Sequence, residues 1–185
     1  MDFQVGEKVI YPNHGIGVVE SIQMRPTPTG KISGYELRIL SNDSRVWVPQ
    51  DGAVGVGLRP VVTARDARKI FDMLGDSTID QCSNWKGRFK ENSDKMRTGS
   101  IFEVAAVLKG LTFLSRKKSL SFREKRMLDR AKFLIVSEIA EVEGKTLALI
   151  EERVDRALTK AFSPEAKPAA KPVQKPVGTR RTSDA

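Results

Sequence analysis

The 185-residue chain has little of what most enzymes use: one cysteine, Cys82, and one histidine, His14. A single thiol excludes an intrachain disulfide, and one Cys with one His cannot build a zinc cluster, so neither a metal site nor a cofactor is expected. Aromatic residues are sparse at 6%. Apolar runs are short: Phe133 to Val136 and Leu147 to Ile150 fall far below the roughly 18 residues of a spanning helix. The N-terminal Met1-Asp2-Phe3-Gln4-Val5 has no basic region leading into an apolar stretch, so a cytoplasmic protein is expected.

What is present is charge, 32 Lys plus Arg against 23 Asp plus Glu, for a net +9. It is segregated. Residues 1–60 hold six cations and six anions, residues 61–163 hold 21 and 15, and residues 164–185 hold five and two. Between Asn84 and Lys132 there are 14 cations and five anions, whereas Val136 to Asp155 is acidic. A basic chain with its excess charge concentrated in one segment points to a polyanionic partner.

The hydrophobic period changes once along the chain. Up to residue 62, β-branched runs are punctuated by Gly, Pro and Asn. They predict five short strands: Lys8 to Tyr11, Gly17 to Ile22, Tyr35 to Leu40, Arg45 to Val48 and Val54 to Val62. Asn13-His14-Gly15 and Ser41 to Ser44 supply turns, and Pro26 to Gly34 reads as a longer polar hairpin tip. From Thr63 the period is helical. Ala67, Ile70, Phe71 and Leu74 mark a first helix ending at Gly75, and a second runs from Ser83 or Asn84 to Arg97. A third and fourth begin at capping boxes, Ser100 with Glu103 and Ser121 with Glu124. The fourth stops at Gly144, and a fifth covers Thr146 to about Phe162. Prolines 164, 168, 172 and 176, three of them directly preceded by Lys, cannot form a core. The expected fold is therefore α+β and multidomain: a small barrel over 1–62, a compact all-α domain of about five helices over 63–162, and a disordered basic tail over 163–185.

His14 lacks a nearby second group for catalysis and reads as a turn residue. Gly15, Gly17, Gly55 and Gly57 lack the strand and helix context of a nucleotide loop and read as bends or bulges. Cys82, with no base to pair with, reads as a small semi-buried residue. The tryptophans stand apart. If Val46 and Val48 face the core, alternation turns Arg45 and Trp47 outward and exposes Trp47 as a protein-binding anchor or as a cap on the barrel. Trp85 sits at a helix start among Lys86, Arg88 and Lys90, a composition that suits nucleic acid.

Four segments in this order resemble the CarD/CdnL family of bacterial transcription regulators over about residues 2–162. They are Val5-Gly6-Glu7-Lys8-Val9-Ile10-Tyr11-Pro12-Asn13-His14-Gly15-Ile16-Gly17, Val46-Trp47-Val48-Pro49, Asn84-Trp85-Lys86-Gly87-Arg88-Phe89-Lys90-Glu91-Asn92 and Leu120-Ser121-Phe122-Arg123-Glu124-Lys125-Arg126-Met127-Leu128. The first also resembles the polymerase-binding module of the transcription-repair coupling factor; the helical half separates the two. Gly87 and Asp51-Gly52-Ala53 depart from the family pattern.

The resemblance implies a Tudor-like or SH3-like barrel that docks on the lobe of the RNA polymerase β subunit, and a helical domain that contacts promoter DNA at the upstream edge of the melted bubble. It implies that Trp85 is a wedge against the opened minor groove, with Lys86, Arg88 and Lys90 beside it and Lys125 and Arg126 as a second phosphate clamp. Polymerase contacts are expected through an added edge strand with Arg45 and Trp47, and more weakly Arg25. The protein is expected to be a monomer and no enzyme. A free-standing, sequence-independent architectural DNA-binding protein is the competing reading, and a nuclease or hydrolase lacks any metal cluster or nucleophile-base pair.

Overall fold

A computed structural model describes residues 2–28, 30–78 and 85–163; the side chains of Thr27, Trp85 and Lys86 lie outside that description, as does Cys82. The N-terminal part is a five-stranded antiparallel sheet of order β4-β3-β2-β1-β5. Its strands are β1 Lys8–Tyr11, β2 Gly15–Thr27, β3 Gly30–Ile39, β4 Arg45–Pro49 and β5 Arg59–Pro60. Five helices follow: α1 Ala64–Gly75, α2 Trp85–Arg97, α3 Ile101–Lys117, α4 Phe122–Glu143 and α5 Leu147–Ala161. This is the arrangement of a Tudor-like sheet domain joined to an all-α domain. The tail, residues 164–185, is outside the described residues.

Alternation builds the sheet. Tyr35, Leu37 and Ile39 of β3 are fully buried with Val9, Val19 and Val48, so the intervening Gly34, Glu36 and Arg38 face outward. The β1–β2 reversal closes through His14 N–H donating to the Tyr11 carbonyl at 3.0 Å, with Asn13 at φ 61° and the His14 ring stacked on Tyr11. His14 is thus held as a turn residue.

Two local expectations are corrected. The polar tip predicted for Pro26 to Gly34 is mostly strand, because β2 and β3 stay paired out to Thr27 opposite Gly30. The fifth strand shrinks to Arg59–Pro60: residues before it coil in turns, with Val56 N–H bonded to the Gly52 carbonyl and Gly57 N–H to that of Val54, both at 3.0 Å. Val54 and Val56 are exposed there. A β2 bulge falls between Val19 and Ser21, at Glu20, while Gly55 and Gly57 lie in turns as bends, Gly57 at φ 78°.

The helices bury one stripe each: Ala67, Ile70 and Leu74 of α1, Val104, Leu108 and Leu111 of α3, Ile135 and Ile139 of α4, Ile150 and Val154 of α5. The Ser121–Glu124 capping box forms in full, and Gly144 ends α4 in the left-handed conformation at φ 61°. The Ser100–Glu103 box does not. Thr98 Oγ1 accepts from the Ser100 N–H at 3.2 Å and so occupies the donor that Glu103 would take, and the Ser100 side chain makes no cap bond.

Sheet and helices are joined by charge. Arg59 of β5 forms a two-pronged pair with Glu138 of α4 at 2.6 and 2.9 Å, while its Nε donates to the Gly99 carbonyl at 2.5 Å. Glu138 is only 3% exposed and also accepts from Val62 N–H. Lys8 pairs with Glu141 at 2.5 Å. Arg130 Nε reaches the Asn13 carbonyl at 2.8 Å, and burial lowers the Arg130 guanidinium from its ordinary pKa.

Candidate nucleic-acid interface and sheet-face site

Two groups of sequence-selected residues sit on different parts of the molecule. The first lies where the beginnings of α2 and α4 meet. Of the α2 residues, Lys90 is exposed and Arg88 half-buried, its Nε enclosed with no hydrogen-bond partner among the described residues. The side chains of Trp85 and Lys86 are outside the described residues, although the α2 backbone begins at Trp85.

Glu124 marks where the elements converge. Partial burial would raise its carboxyl, but the hydroxyl and N–H of Ser121, with the positive fields of Lys118 and Arg88, hold it below the ordinary Glu value. A lone carboxylate thus stands between cations of α2 and of the α3–α4 corner. Arg88, three residues into α2, is thereby brought to the first turn of α4, where Lys125 and Arg126 are both exposed. Neither Lys125 nor Arg126 has an ion-pair partner among the described residues, in contrast to Lys8, Arg38, Arg45 and Arg59 of the sheet.

Arg126 lines one side of an open groove of about 370 Å³, with Met127 and Arg130 of α4, Ser93 and Met96 of α2, and Asn13 from the β1–β2 turn. Sequence reasoning missed Arg130. Its i, i+4 spacing from Arg126 was visible, but its bond to a carbonyl 117 positions away was not. The exposed cations of the arrangement can meet an extended anion. Among the described residues no cluster of three or more His, Cys, Asp or Glu side chains could hold a metal ion. No helix among them is long and apolar enough to cross a membrane.

The second group is on the outer face of the sheet. Trp47 is half-buried, not exposed as alternation alone predicts. It does point outward, opposite Glu36, but it lies across Gly34 of the neighbouring strand, where a Cβ would come within 2.4 Å of its ring. Arg25, reaching over from β2, covers the indole at 4.8 Å in a cation–π contact. The indole Nε1 is enclosed without a partner among the described residues. Gly34 is the reason: only a residue without a side chain leaves a seat between the two strands for a flat ring.

Arg45 is exposed at the edge strand and joins a different set. Glu20, turned out by the bulge, accepts from Arg38 Nε at 2.7 Å and lies 3.2 Å from Arg45 Nε. Arg25 and Trp47 are therefore brought together, while Arg45 belongs to the Glu20 cluster. Gly34 and Glu20 are the members of this face that sequence reasoning missed.

Both halves of the chain are similar to known proteins. The family model described as "CarD-like/TRCF RID domain" matches residues 3–62, and that described as "CarD, C-terminal domain" matches residues 69–155. A Bacillus subtilis (strain 168) protein named "Putative transcription factor YdeB" is 32% identical over 144 residues, which cover 78% of this chain and 94% of that protein. With a sheet domain and a helical domain each matched in chain order, and a relative aligned over nearly its whole length, the chain belongs to the CarD/CdnL family of transcription regulators.

Proposed function

We propose that the protein binds the lobe of the RNA polymerase β subunit through the outer face and edge of its sheet, and stabilises the open promoter complex through sequence-independent contacts from its helices. Residues 1–62 form the polymerase-binding unit and residues 63–162 the DNA-binding unit. It acts by binding, without turnover and without a cofactor. The observation that carries the reading is that Arg88 of α2 acts on Glu124 in the first turn of α4, where Lys125 and Arg126 are exposed, while Lys90 is exposed further along α2 from the helix start at Trp85.

Cations without carboxylate partners hold phosphates, and an aromatic wedge holds bases that have left the stack. Trp85 is that wedge, with Lys86 beside it. On the sheet, Arg25 and Trp47 form a stiff aromatic and cationic knob, and β4 is an edge strand to which a polymerase strand can be added. Arg45 stands at the start of that edge.

The test is the lifetime of promoter open complexes. Trp85→Ala is expected to shorten it while polymerase affinity stays unchanged, and a loss of about 1.4 kcal/mol would change the open fraction about tenfold. An unchanged lifetime in a folded variant removes Trp85 from the mechanism. A free-standing DNA-binding protein would instead bind bubble and duplex with no polymerase dependence of its effect.

A further inference from the structure

We infer that Phe122 is a base-stacking contact for unpaired DNA, a second aromatic platform beside the cations of α4; the inference takes its ligand from the open-complex reading above. Phe122 opens α4 and is 75% exposed, the most exposed large apolar side chain among the described residues. Leu120, two positions earlier, is buried at 6%. The chain thus turns one apolar side chain into the core and the next out to water, where the ring adds nothing to packing.

A solitary exposed apolar residue is ordinary. The company of this one is not. Residues 122–126 hold three cations, Arg123, Lys125 and Arg126, and a single carboxylate. That carboxylate, Glu124, is engaged, accepting from the N–H of Ser121 at 2.9 Å and its hydroxyl at 2.7 Å. Lys125 and Arg126 lie three and four positions after Phe122, on its side of the helix, and Arg123 is exposed next to it. The Arg126 guanidinium is 5.9 Å from the ring centroid, at the outer limit of a cation–π contact, so it flanks the ring without covering it.

A flat apolar face flanked by cations matches a nucleic-acid base carried on its phosphates. Stacking tolerates any sequence because every base has a π face, and the cations meet the backbone on either side. An apolar pocket on a protein partner would have to bring its own carboxylates to meet this rim. Duplex DNA presents phosphates but no free base face, so Phe122 should matter only where strands are separated.

The experiment uses the full chain without polymerase, at low salt, and compares a DNA carrying an unpaired central bubble labelled with 2-aminopurine with the fully paired duplex. Wild type is expected to prefer the bubble and to quench the label. Phe122→Ala should lower bubble affinity about fivefold or more, with duplex affinity unchanged, and Phe122→Tyr should retain it. Equal losses on bubble and duplex, or no loss on either, overturn the inference. So does an unchanged bubble affinity combined with weakened polymerase binding, which makes Phe122 a protein anchor. If the wild-type protein leaves open-complex lifetime unchanged while Phe122→Ala loses bubble affinity, the open-complex reading fails and the stacking contact stands.

Discussion

On the sheet, carboxylates neutralise four cations: Glu20 holds Arg38 and Arg45, Glu138 holds Arg59, Glu141 holds Lys8. At the beginnings of α2 and α4, Lys90, Arg123, Lys125 and Arg126 have no such partner among the described residues, and Glu124 is spent on a helix cap. The contrast teaches that net charge is a poor guide to a binding surface. Cations already paired have little left to offer a phosphate, whereas unpaired ones are free to neutralise phosphates and displace the counterions condensed on DNA. The sheet instead presents a rigid feature, an indole clamped between Gly34 and Arg25, which suits a shaped protein surface.

The comparison is broken most severely at the joint between the two regions. Arg59→Ala would leave Glu138 almost fully buried with one backbone donor, and removing one partner of such a pair typically costs about 3 kcal/mol or more. In a protein of this size that is a fall in Tm of about 10 °C, read by calorimetry. If the sheet and helices depend on the pair for their union, the single transition should also split in two.

A smaller effect is expected within the sheet. Gly34→Ala places a Cβ against the Trp47 ring, and overpacking of this kind costs about 1–3 kcal/mol. Its sharper signature is displacement of the indole, visible as a shift of Trp47 emission when Trp85 is replaced by Phe. Polymerase affinity should drop and DNA affinity should not. An unmoved emission spectrum would mean that the seat is not as close as the geometry has it.

The α4 cap gives a pH-dependent effect of about 1 kcal/mol for Ser121→Ala. Because the folded carboxyl of Glu124 titrates below its ordinary 4.5, its contribution is present above that value and is lost as pH falls through the lower, folded one. Urea denaturation of wild type and Glu124→Gln should therefore show a difference near neutrality that shrinks on acidification below 4.5.

The smallest change, in tenths of a kcal/mol of stability, sharpens the comparison most directly. Lys125→Ala should reduce the slope of log K against log salt for duplex binding by about 0.9 for each phosphate that the side chain no longer neutralises. Arg45→Ala, removing an equal charge from the Glu20 cluster, should leave that slope unchanged. Equal slopes for the two variants would show that the surface cations act only through the sum of charge.

Local pattern decided the elements of this protein. The change of period at Thr63, the alternation of β3, the Ser121–Glu124 box and the stop at Gly144 all involve residues within a few positions of one another, where steric and hydrogen-bonding rules act without knowledge of the rest of the chain. The segregation of charge was equally legible, since it is a property of composition along the chain. Even locally, competition could hide the outcome: Ser100 and Glu103 have the right spacing, yet Thr98 takes the donor first.

Tertiary structure alone decided which of those groups meet. That Trp47 rests on Gly34 beneath Arg25 follows from strand register, which a bulge at Glu20 shifts by one residue. That Arg59 finds Glu138 across 79 positions, that Arg130 finds Asn13 across 117, and that Arg88 reaches the field of Glu124 follow from how the helices pack on one another and on the sheet. Such contacts leave no period in the sequence. They form because burying the apolar stripes fixes each element in space, and the polar groups at their margins then have one set of neighbours left to satisfy.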